Sequence, residues 1–263
     1  MSEIIVITSG KGGVGKTTTT ANIGVGLAMR KSRVALIDTD TGLRNLDLLL
    51  GLENRIMYDL VDVTSGRVNY HKALVRHKKY ETLYLLPTSQ VKDKSAVNPE
   101  QLVELCNEMK KDFDFIIIDC PAGLEQGFKT AIAPADYAVV VTTPEVSAVR
   151  DADKIIGELG RAEKNNVKLI VNRIRQQMVE KGDMMDMEDI NEILSIDCIG
   201  QVPDDEMVVM ATNRGEPVIT MKDSFAGQAY KNIVGRICGE SIPFFKPPKE
   251  GFFAKLKRLF GLF

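Results

Sequence analysis

The sequence predicts an α/β fold, a doubly wound and mostly parallel sheet flanked by helices. Short apolar runs rich in Val, Ile and Leu recur at strand length, with helix-like segments between most of them, which is typical of βαβ units. With 263 residues, 44% of them hydrophobic, the chain can bury a full core. The longest apolar runs are strand-sized, so no transmembrane span is predicted. The predicted strands lie at 3–8, 33–38, 82–86, 114–119, 137–142, 168–173 and 198–203.

A glycine-rich loop joins the first strand to a helix predicted over 18–30. Its pattern, Gly10-x-x-x-x-Gly15-Lys16-Thr17, follows a strand and opens a helix, as a phosphate-binding loop does. Glycines let successive backbone N–H groups converge on phosphate oxygens, the lysine reaches the β- and γ-phosphates, and the threonine hydroxyl ligates Mg²⁺. The alternative is a glycine-rich turn that binds nothing. The predicted nucleotide-binding residues here are Gly10, Lys11, Gly12, Gly13, Val14, Gly15, Lys16, Thr17 and Thr18.

Lys11 is a second cation in a loop that Lys16 already serves. With it, the run from Lys11 to Thr18 resembles the deviant Walker A ATPases, a family with the P-loop NTPase type of fold. In that family the matching lysine reaches across a dimer to the partner's nucleotide. The resemblance therefore implies ATP and Mg²⁺ as cofactors, an ATP-dependent homodimer, and catalytic roles for Lys11 and Lys16. A solvated surface lysine at position 11 is the alternative.

Carboxylates end two of the predicted strands. Asp38 and Asp40 follow the second strand, and Asp119 ends the fourth as the aspartate of a Walker B strand does. Ligands of open parallel sheets sit at the carboxyl ends of strands, so we expect these groups beside the phosphates. The resemblance implies that Asp38 supports the Mg²⁺ shell through water and that Asp40 orients the attacking water, with Thr17 and Asp119 also at the metal. Strand-end caps are the alternative.

Two further segments resemble the switch regions of the family. Residues 42–62 resemble the switch of its cell-division branch, with Thr41 in place of an expected aliphatic residue, and residues 119–127 resemble switch II. Hydrolysis would remove the phosphate contacts that order the second of these turns.

Polar groups after the sixth and seventh strands are candidates for the base site. Asn172 can both donate to and accept from an adenine edge, and the family uses the matching asparagine in this way. Arg173 follows it, and the resemblance implies that the backbone at Pro203 and Asp204 closes over the base. The chain lacks an Asn-Lys-x-Asp guanine signature. Together with this absence, the resemblance implies ATP rather than GTP.

The four cysteines form no C-x-x-C pair and are expected to be buried apolar side chains in a reducing compartment. Cys120 follows Asp119, so a cluster ligand at a dimer axis is the alternative there. The N-terminus enters a strand without a secretory leader, which predicts a cytoplasmic protein.

The last residues change character. A helix over 224–237 should end an ATPase domain of residues 1–240, and prolines at 243, 247 and 248 predict a linker over 241–251. From position 244 onward five basic residues oppose one glutamate, which gives +4; the whole chain carries −2, so the rest carries −6. An acidic body argues against a nonspecific nucleic-acid surface, and a basic tail favours an anionic partner.

Residues 252–263 are predicted to form an amphipathic helix. Six large apolar side chains fall within about 120° of one another at 100° per residue, and the cations lie outside that arc. At ~1.5 Å per residue the helix is about 18 Å long, too short to cross a bilayer but suited to lie in its interface. Docking of the helix on its own domain is the alternative. The apolar residues are Phe252, Phe253, Leu256, Leu259, Phe260 and Phe263.

Together these features predict a peripheral ATPase on the cytoplasmic face of the cell membrane. The resemblance implies that it helps to place the division septum, with anionic lipids, the division inhibitor MinC and a topology factor (MinE or a DivIVA-linked protein) as partners. A DNA-partitioning ATPase of the ParA type is the alternative, but it would need basic residues on the body. An iron–sulfur carrier would need paired cysteines.

Overall fold

One eight-stranded sheet runs through the part of the chain that the computed structural model describes, residues 2–40, 45–89 and 97–245. The strands are β1 Glu3–Thr8, β2 Val34–Asp38, β3 Val75–Arg76, β4 Leu83–Leu86, β5 Phe115–Asp119, β6 Tyr137–Thr142, β7 Val167–Ile174 and β8 Asp197–Pro203. Their order in the sheet is β3-β4-β2-β5-β1-β6-β7-β8, and every neighbouring pair is parallel except β3 and β4. The predicted doubly wound fold is therefore confirmed.

Helices cover both faces of the sheet because each parallel connection must cross over it. The helices are α1 Lys16–Met29, α2 Leu46–Leu49, α3 Leu60–Thr64, α4 Tyr70–Ala73, α5 Pro99–Met109, α6 Gln126–Ile132, α7 Val146–Arg161, α8 Gln176–Lys181, α9 Met187–Leu194, α10 Met207–Asn213 and α11 Phe225–Ile237. Helices α5, α6, α7 and α9 pack largely on one face of the sheet, and α1, α10 and α11 pack on the other. Two 3₁₀ turns occupy Glu53–Arg55 and Val218–Thr220.

The core has two layers, one on each face of the sheet. Alternation along β1 shows how the sequence builds them: Ile4 and Val6 belong to one layer, and Ile5 and Ile7 belong to the other. All four side chains are almost fully buried. A central strand of this kind has to be apolar on both sides, which explains its continuous run of β-branched residues.

Local signals predicted α5 well. The Asn98 side chain accepts the N–H of Gln101 at 2.8 Å, and the Gln101 side chain accepts the N–H of Asn98 at 3.1 Å. Pro99 takes the first helical position. This reciprocal capping box satisfies backbone donors that the first turn leaves without partners.

One strand was not predicted. Val75–Arg76 forms β3, which pairs antiparallel with β4 at the edge of the sheet. Two residues are too few to show the alternation that identifies a strand. The seven predicted strands are all present.

The chain continues past α11 without regular structure through residues 241–245. The predicted tail, 252–263, and the rest of the linker lie outside the described residues, as do Thr41 and the first residues of the predicted switch. None of the helices in the described ranges has the length and apolar character needed to cross a membrane.

Candidate nucleotide-binding site

The loop between β1 and α1 has the backbone that a phosphate cradle requires. Gly13 and Gly15 have φ of 81° and 101°, in the left-handed region that favours glycine. A Cβ on Gly15 would come 2.3 Å from Asn172 Nδ2, and a Cβ on Gly10 would come 2.2 Å from the carbonyl oxygen of Asp151. A side chain at Gly15 would therefore displace the Asn172 amide, and one at Gly10 would displace the backbone of α7 at Asp151.

Lys16 and Asn172 lie within this loop region. Lys16 opens α1 and is only 7% exposed, while Asn172 Nδ2 donates to the carbonyl oxygen of Val14 at 2.8 Å. Asn172 therefore links the end of β7 to the loop. Among the described side chains none caps the N-terminus of α1, which starts after Gly15. The N–H groups of that first turn favour an anionic ligand.

Two buried carboxylates lie next to each other at the ends of β2 and β5. Asp38 and Asp119 are paired residues in the parallel register, 2% and 1% exposed. Asp119 Oδ1 accepts from Thr20 Oγ1 at 3.0 Å, and the Thr17 side chain lies close enough to lower the pKa of the Asp119 carboxyl. Asp38 Oδ1 accepts the backbone N–H of Asp40 at 2.9 Å.

Burial raises the pKa of both carboxyls. For Asp38 burial acts most, the charge of Asp119 adds to it, and the pKa lies well above its ordinary value. Burial raises the pKa of Asp119 to about 6, against the opposing effects of Thr17, Lys16 and Thr20. Two adjacent buried anions repel each other, and a bound cation would relieve that repulsion.

Lys11 differs from Lys16 in its surroundings. It is exposed, and its Nζ lies 3.4 Å from Ser147 Oγ in the first turn of α7. The carbonyl oxygen of Lys11 accepts a hydrogen bond from Ser9 Oγ at 2.8 Å, which holds the backbone of the loop at Lys11. The structure thus separates a buried lysine that faces the carboxylates from an exposed one at the rim.

The candidate base residues meet at the same edge of the sheet. Ile174 of β7 pairs with Pro203 of β8, and the N–H of Asp204 donates to the carbonyl oxygen of Ile174 at 3.0 Å. Arg175 Nε donates to Asp204 Oδ2 at 2.6 Å. Arg173 is exposed and has a left-handed φ of 58°. Their roles toward a nucleotide stay predictions.

Sequence reasoning missed three contributors to the site. Thr20 holds Asp119, and its one signal is its spacing, one helical turn after Lys16 on the same face of α1. Asp47 on α2 is 1% exposed and its charge raises the pKa of Asp38 further. The backbone of Asp151 touches Gly10, a contact that no local pattern announces.

The cysteines fit the expectation only in part. Cys120 is fully buried, as expected, and burial raises the pKa of its thiol to about 12. Cys106 is equally buried. Cys238 is exposed and Cys198 half-buried, so the expectation of four buried cysteines is wrong for these two. The positions of these two cysteines explain their exposure, because Cys238 comes after the last turn of α11 and Cys198 lies on the edge strand β8.

Comparison with known proteins gives full-length matches. Residues 2–171 match the family described as AAA domain. The septum site-determining protein MinD of Bacillus subtilis (strain 168) is 54% identical over 266 residues, which cover 100% of this chain and 99% of that protein.

Solved structures agree with this match. A chain of the MinC:MinD cell division protein complex of Aquifex aeolicus has a TM-score of 0.88 at 49% identity, covering 93% of this chain and 99% of its own length. The septum site-determining protein MinD complexed with Mg-ADP from Pyrococcus horikoshii OT3 has a TM-score of 0.81 at 30% identity, covering 90% and 96%. The chain belongs to the MinD family of septum site-determining proteins, within the broader family of AAA domain proteins.

Proposed function

We propose that this chain hydrolyses ATP, dimerises when ATP is bound, and in that form binds the cytoplasmic face of the cell membrane and recruits a division inhibitor. The observation that carries the proposal is the loop at 10–17, whose left-handed glycines and buried Lys16 lie beside the paired carboxylates Asp38 and Asp119. The 54% identity to a septum site-determining protein over the whole chain favours cell division over DNA partitioning.

The residues present fit a magnesium nucleotide. Within the described ranges, no atom beyond the adjacent residues lies within 4 Å of where a Cβ on Gly12 or Gly13 would be, so no described side chain fills the space beside the loop. No group of three or more His, Cys, Asp or Glu within the described ranges could hold a metal alone. Mg²⁺ in nucleotide sites takes one or two carboxylates and completes its shell with phosphates and water, which suits Asp38, Asp119 and the Thr17 hydroxyl. Bound Mg²⁺ would supply charge neutralisation at the phosphates.

Lys16 and Asp40 have separate roles in the proposed hydrolysis. Lys16 places a cation between the loop and Asp119, where it can bind the terminal phosphates. Asp40 is attached through its backbone N–H to Asp38, at the mouth of the site. From there its carboxylate can accept a hydrogen bond from a water and orient it for attack. Positioning of this kind accounts for most of the catalysis in phosphoryl transfer.

The dimer would form over the face that carries Lys11. Its amine is exposed and makes one long contact to Ser147, so it can leave that contact for an anion on a second copy at little cost. A desolvated lysine facing a phosphate of the partner's ATP would make dimerisation depend on the nucleotide.

Two tails on a dimer would make membrane binding cooperative. Insertion of one short amphipathic helix into lipid is marginal once the ordering of twelve residues is counted. A second tail on the same particle inserts at high effective concentration, with a gain of roughly 100-fold to 10,000-fold. ATP would therefore control membrane binding through dimerisation.

MinC is the partner with direct support in a relative, since the Aquifex aeolicus complex contains MinC and MinD. A topology factor, MinE or a DivIVA-linked protein, follows from the resemblance. Either would act on the ATP-bound dimer, since that is the form proposed to occupy the membrane.

The test is Lys11→Ala, with Lys72→Ala on α4 as a matched exposed lysine. We expect Lys11→Ala to bind nucleotide as a monomer but to remain monomeric with Mg-ATP, while wild type and Lys72→Ala double in mass by light scattering. MinC should then co-elute with the two dimers and not with Lys11→Ala. If Lys11→Ala still forms the ATP dimer as wild type does, Lys11 does not bind the nucleotide of the partner subunit in the way proposed.

A further inference from the structure

The chain folds back along α11 after that helix ends. Arg236, in the last turn, donates from Nε to the carbonyl oxygen of Ile242 at 2.9 Å, and its guanidinium lies 4.3 Å from the centroid of the Phe244 ring. Phe245 reaches Phe225, the first residue of α11, with ring centroids 5.7 Å apart. Residues 241–245 thus follow the helix from its last turn to its first.

Arg236 also fixes this segment to the sheet. Its Nη1 donates to the carbonyl oxygen of Ile199 in β8 at 2.8 Å. Arg30 and Glu240 form a bidentate ion pair that holds the turn between α11 and the segment. The path of the chain toward the tail is therefore set by contacts within the domain.

Three phenylalanines lie along this segment and at the start of α11, and we name Phe225, Phe244 and Phe245 the aromatic platform. Phe225 is 44% exposed and Phe244, beside Arg236, is 37% exposed, while Phe245 is half-buried against Phe225. Single exposed apolar residues are ordinary, but three aromatic residues along one surface segment of a charged body mark a contact surface. Phenylalanine has no polar group that would need a partner once it is buried.

We propose that the aromatic platform contacts the lipid bilayer directly, beside the point where the tail enters it. The proposal rests on membrane binding by the tail and adds a second contact made by the folded domain. Only residues 246–251 separate the platform from Phe252, and six residues span at most about 20 Å. A tail that lies in the interface therefore keeps the platform close to the same surface.

The charges near the platform suit a headgroup region more than a protein core. Lys222 is exposed three residues before Phe225, with exposed Asp223 next to it, and Arg236 adds a cation under Phe244. Residues 246–251, which follow the platform in the sequence, include two lysines and one glutamate. Aromatic rings among cations are the composition that proteins place at membrane interfaces.

The absence of tryptophan from the sequence allows a direct test. Phe225→Trp and Phe244→Trp each introduce a single fluorophore, and tryptophan in place of Phe244 keeps a ring under the Arg236 guanidinium. Ile193→Trp on α9, 48% exposed on the opposite face of the sheet, is the control. Each full chain is mixed with Mg-ATP and vesicles of phosphatidylglycerol and phosphatidylcholine, with or without brominated acyl chains. Sedimentation and thermal melting are measured on the same samples.

We expect brominated lipid to quench Phe225→Trp and Phe244→Trp but not Ile193→Trp. We also expect Phe225→Ser and Phe244→Ser each to weaken vesicle binding about threefold to tenfold without a change in melting temperature. Sedimentation of all variants with no quenching at the platform would overturn the platform contact and leave the tail contact standing. Equal quenching of Ile193→Trp would also overturn it. If even wild type stays in the supernatant with Mg-ATP, both the tail and the platform contacts fail.

Discussion

At the scale of single residues, the site combines groups that would be unfavourable apart. Asp38 and Asp119 are buried beside each other, and each is held by a donor from a neighbouring segment. Lys16 lies close enough to lower the pKa of Asp119 against the effect of burial. The chain thus retains a polar cluster at the carboxyl ends of strands that are otherwise apolar, which is reasonable for a site that takes up a charged ligand.

Asp40→Ala should separate ATP binding from ATP hydrolysis. Loss of the group that orients water should lower turnover about 100-fold, whereas the loop and Lys16 still hold the nucleotide. Dimers should then accumulate with Mg-ATP, as measured by phosphate release and light scattering. Asp183→Ala, an exposed carboxylate on the turn after α8, is the control. If Asp40→Ala turns over ATP at the normal rate, a residue other than Asp40 orients the attacking water.

His77 should make stability depend on pH. Its Nδ1 accepts the N–H groups of Lys79 at 3.1 Å and Tyr80 at 3.2 Å, which only a neutral ring can do. Burial, followed by the charges of Lys79 and Lys78, lowers the pKa of His77. The unfolded chain therefore takes up the proton first, and stability falls as pH drops below about 6.5.

The measurement is urea unfolding between about pH 8 and about pH 5.5. His77→Asn, whose Oδ1 can accept the same N–H groups, should lose less stability over this range than wild type. His71→Asn, which changes the exposed second histidine, should behave like wild type. A wild-type curve that is parallel to that of His77→Asn would contradict the role of the ring.

At the scale of elements, what the sequence could predict was local. Strand-length apolar runs, a capping box at α5 and a strand–loop–helix motif at β1 and α1 each lie within a dozen residues, and all are present. What it could not predict joins distant segments. Asn172 bonds to Val14 across 158 residues, and Thr20 bonds to Asp119 across 99. Such pairs follow from the order of the strands, which periodicity alone does not determine.

Asp205 links the two helices α10 and α11, which follow β8. Its Oδ2 accepts from Ser224 Oγ at 2.7 Å and from the N–H of Ala226 at 3.1 Å, while Oδ1 accepts the N–H of Met207 at 2.9 Å. Burial acts to raise the pKa of Asp205, but the hydrogen bonds outweigh it and the pKa lies below its ordinary value. The carboxylate therefore stabilises the starts of α10 and α11 when ionised.

We expect Asp205→Ala to lower the free energy of unfolding by roughly 2–3 kcal/mol at neutral pH. Since the folded pKa is depressed, this contribution is present above about pH 4 and is lost as pH falls through the folded value, so the two proteins should converge in acid. Asp223→Ala, which removes an exposed carboxylate just before α11, should change little. Equal stability of Asp205→Ala and wild type in urea at neutral pH would refute the link.

At the scale of the whole molecule, the candidate nucleotide site and the surface proposed to contact the membrane lie at different places on one domain. The nucleotide site occupies the carboxyl edge of the sheet, and the chain toward the tail is fixed along α11 on one face. Asp205 lies between them, two residues after β8 and in contact with the first turn of α11. Dimerisation would then bring two tails to one membrane surface without requiring a change of fold in either subunit.

The tail itself can be tested by one substitution, Leu256→Glu, which places a carboxylate in the middle of the predicted apolar arc. If the tail lies in the membrane interface, this charge should prevent insertion and leave the melting temperature unchanged. If the tail packs on its own domain, the same charge would be buried without a partner and destabilise the fold by several kcal/mol.

Vesicle sedimentation with Mg-ATP and with Mg-ADP tests the central claim, nucleotide-controlled membrane binding, most directly. Wild type should sediment with vesicles of phosphatidylglycerol and phosphatidylcholine when ATP is bound, far less with ADP, and less again as the anionic lipid is diluted or salt is raised. Leu256→Glu should stay in the supernatant with either nucleotide and melt at the wild-type temperature. Equal sedimentation with ATP and ADP, or sedimentation of Leu256→Glu at the wild-type level, would contradict the account.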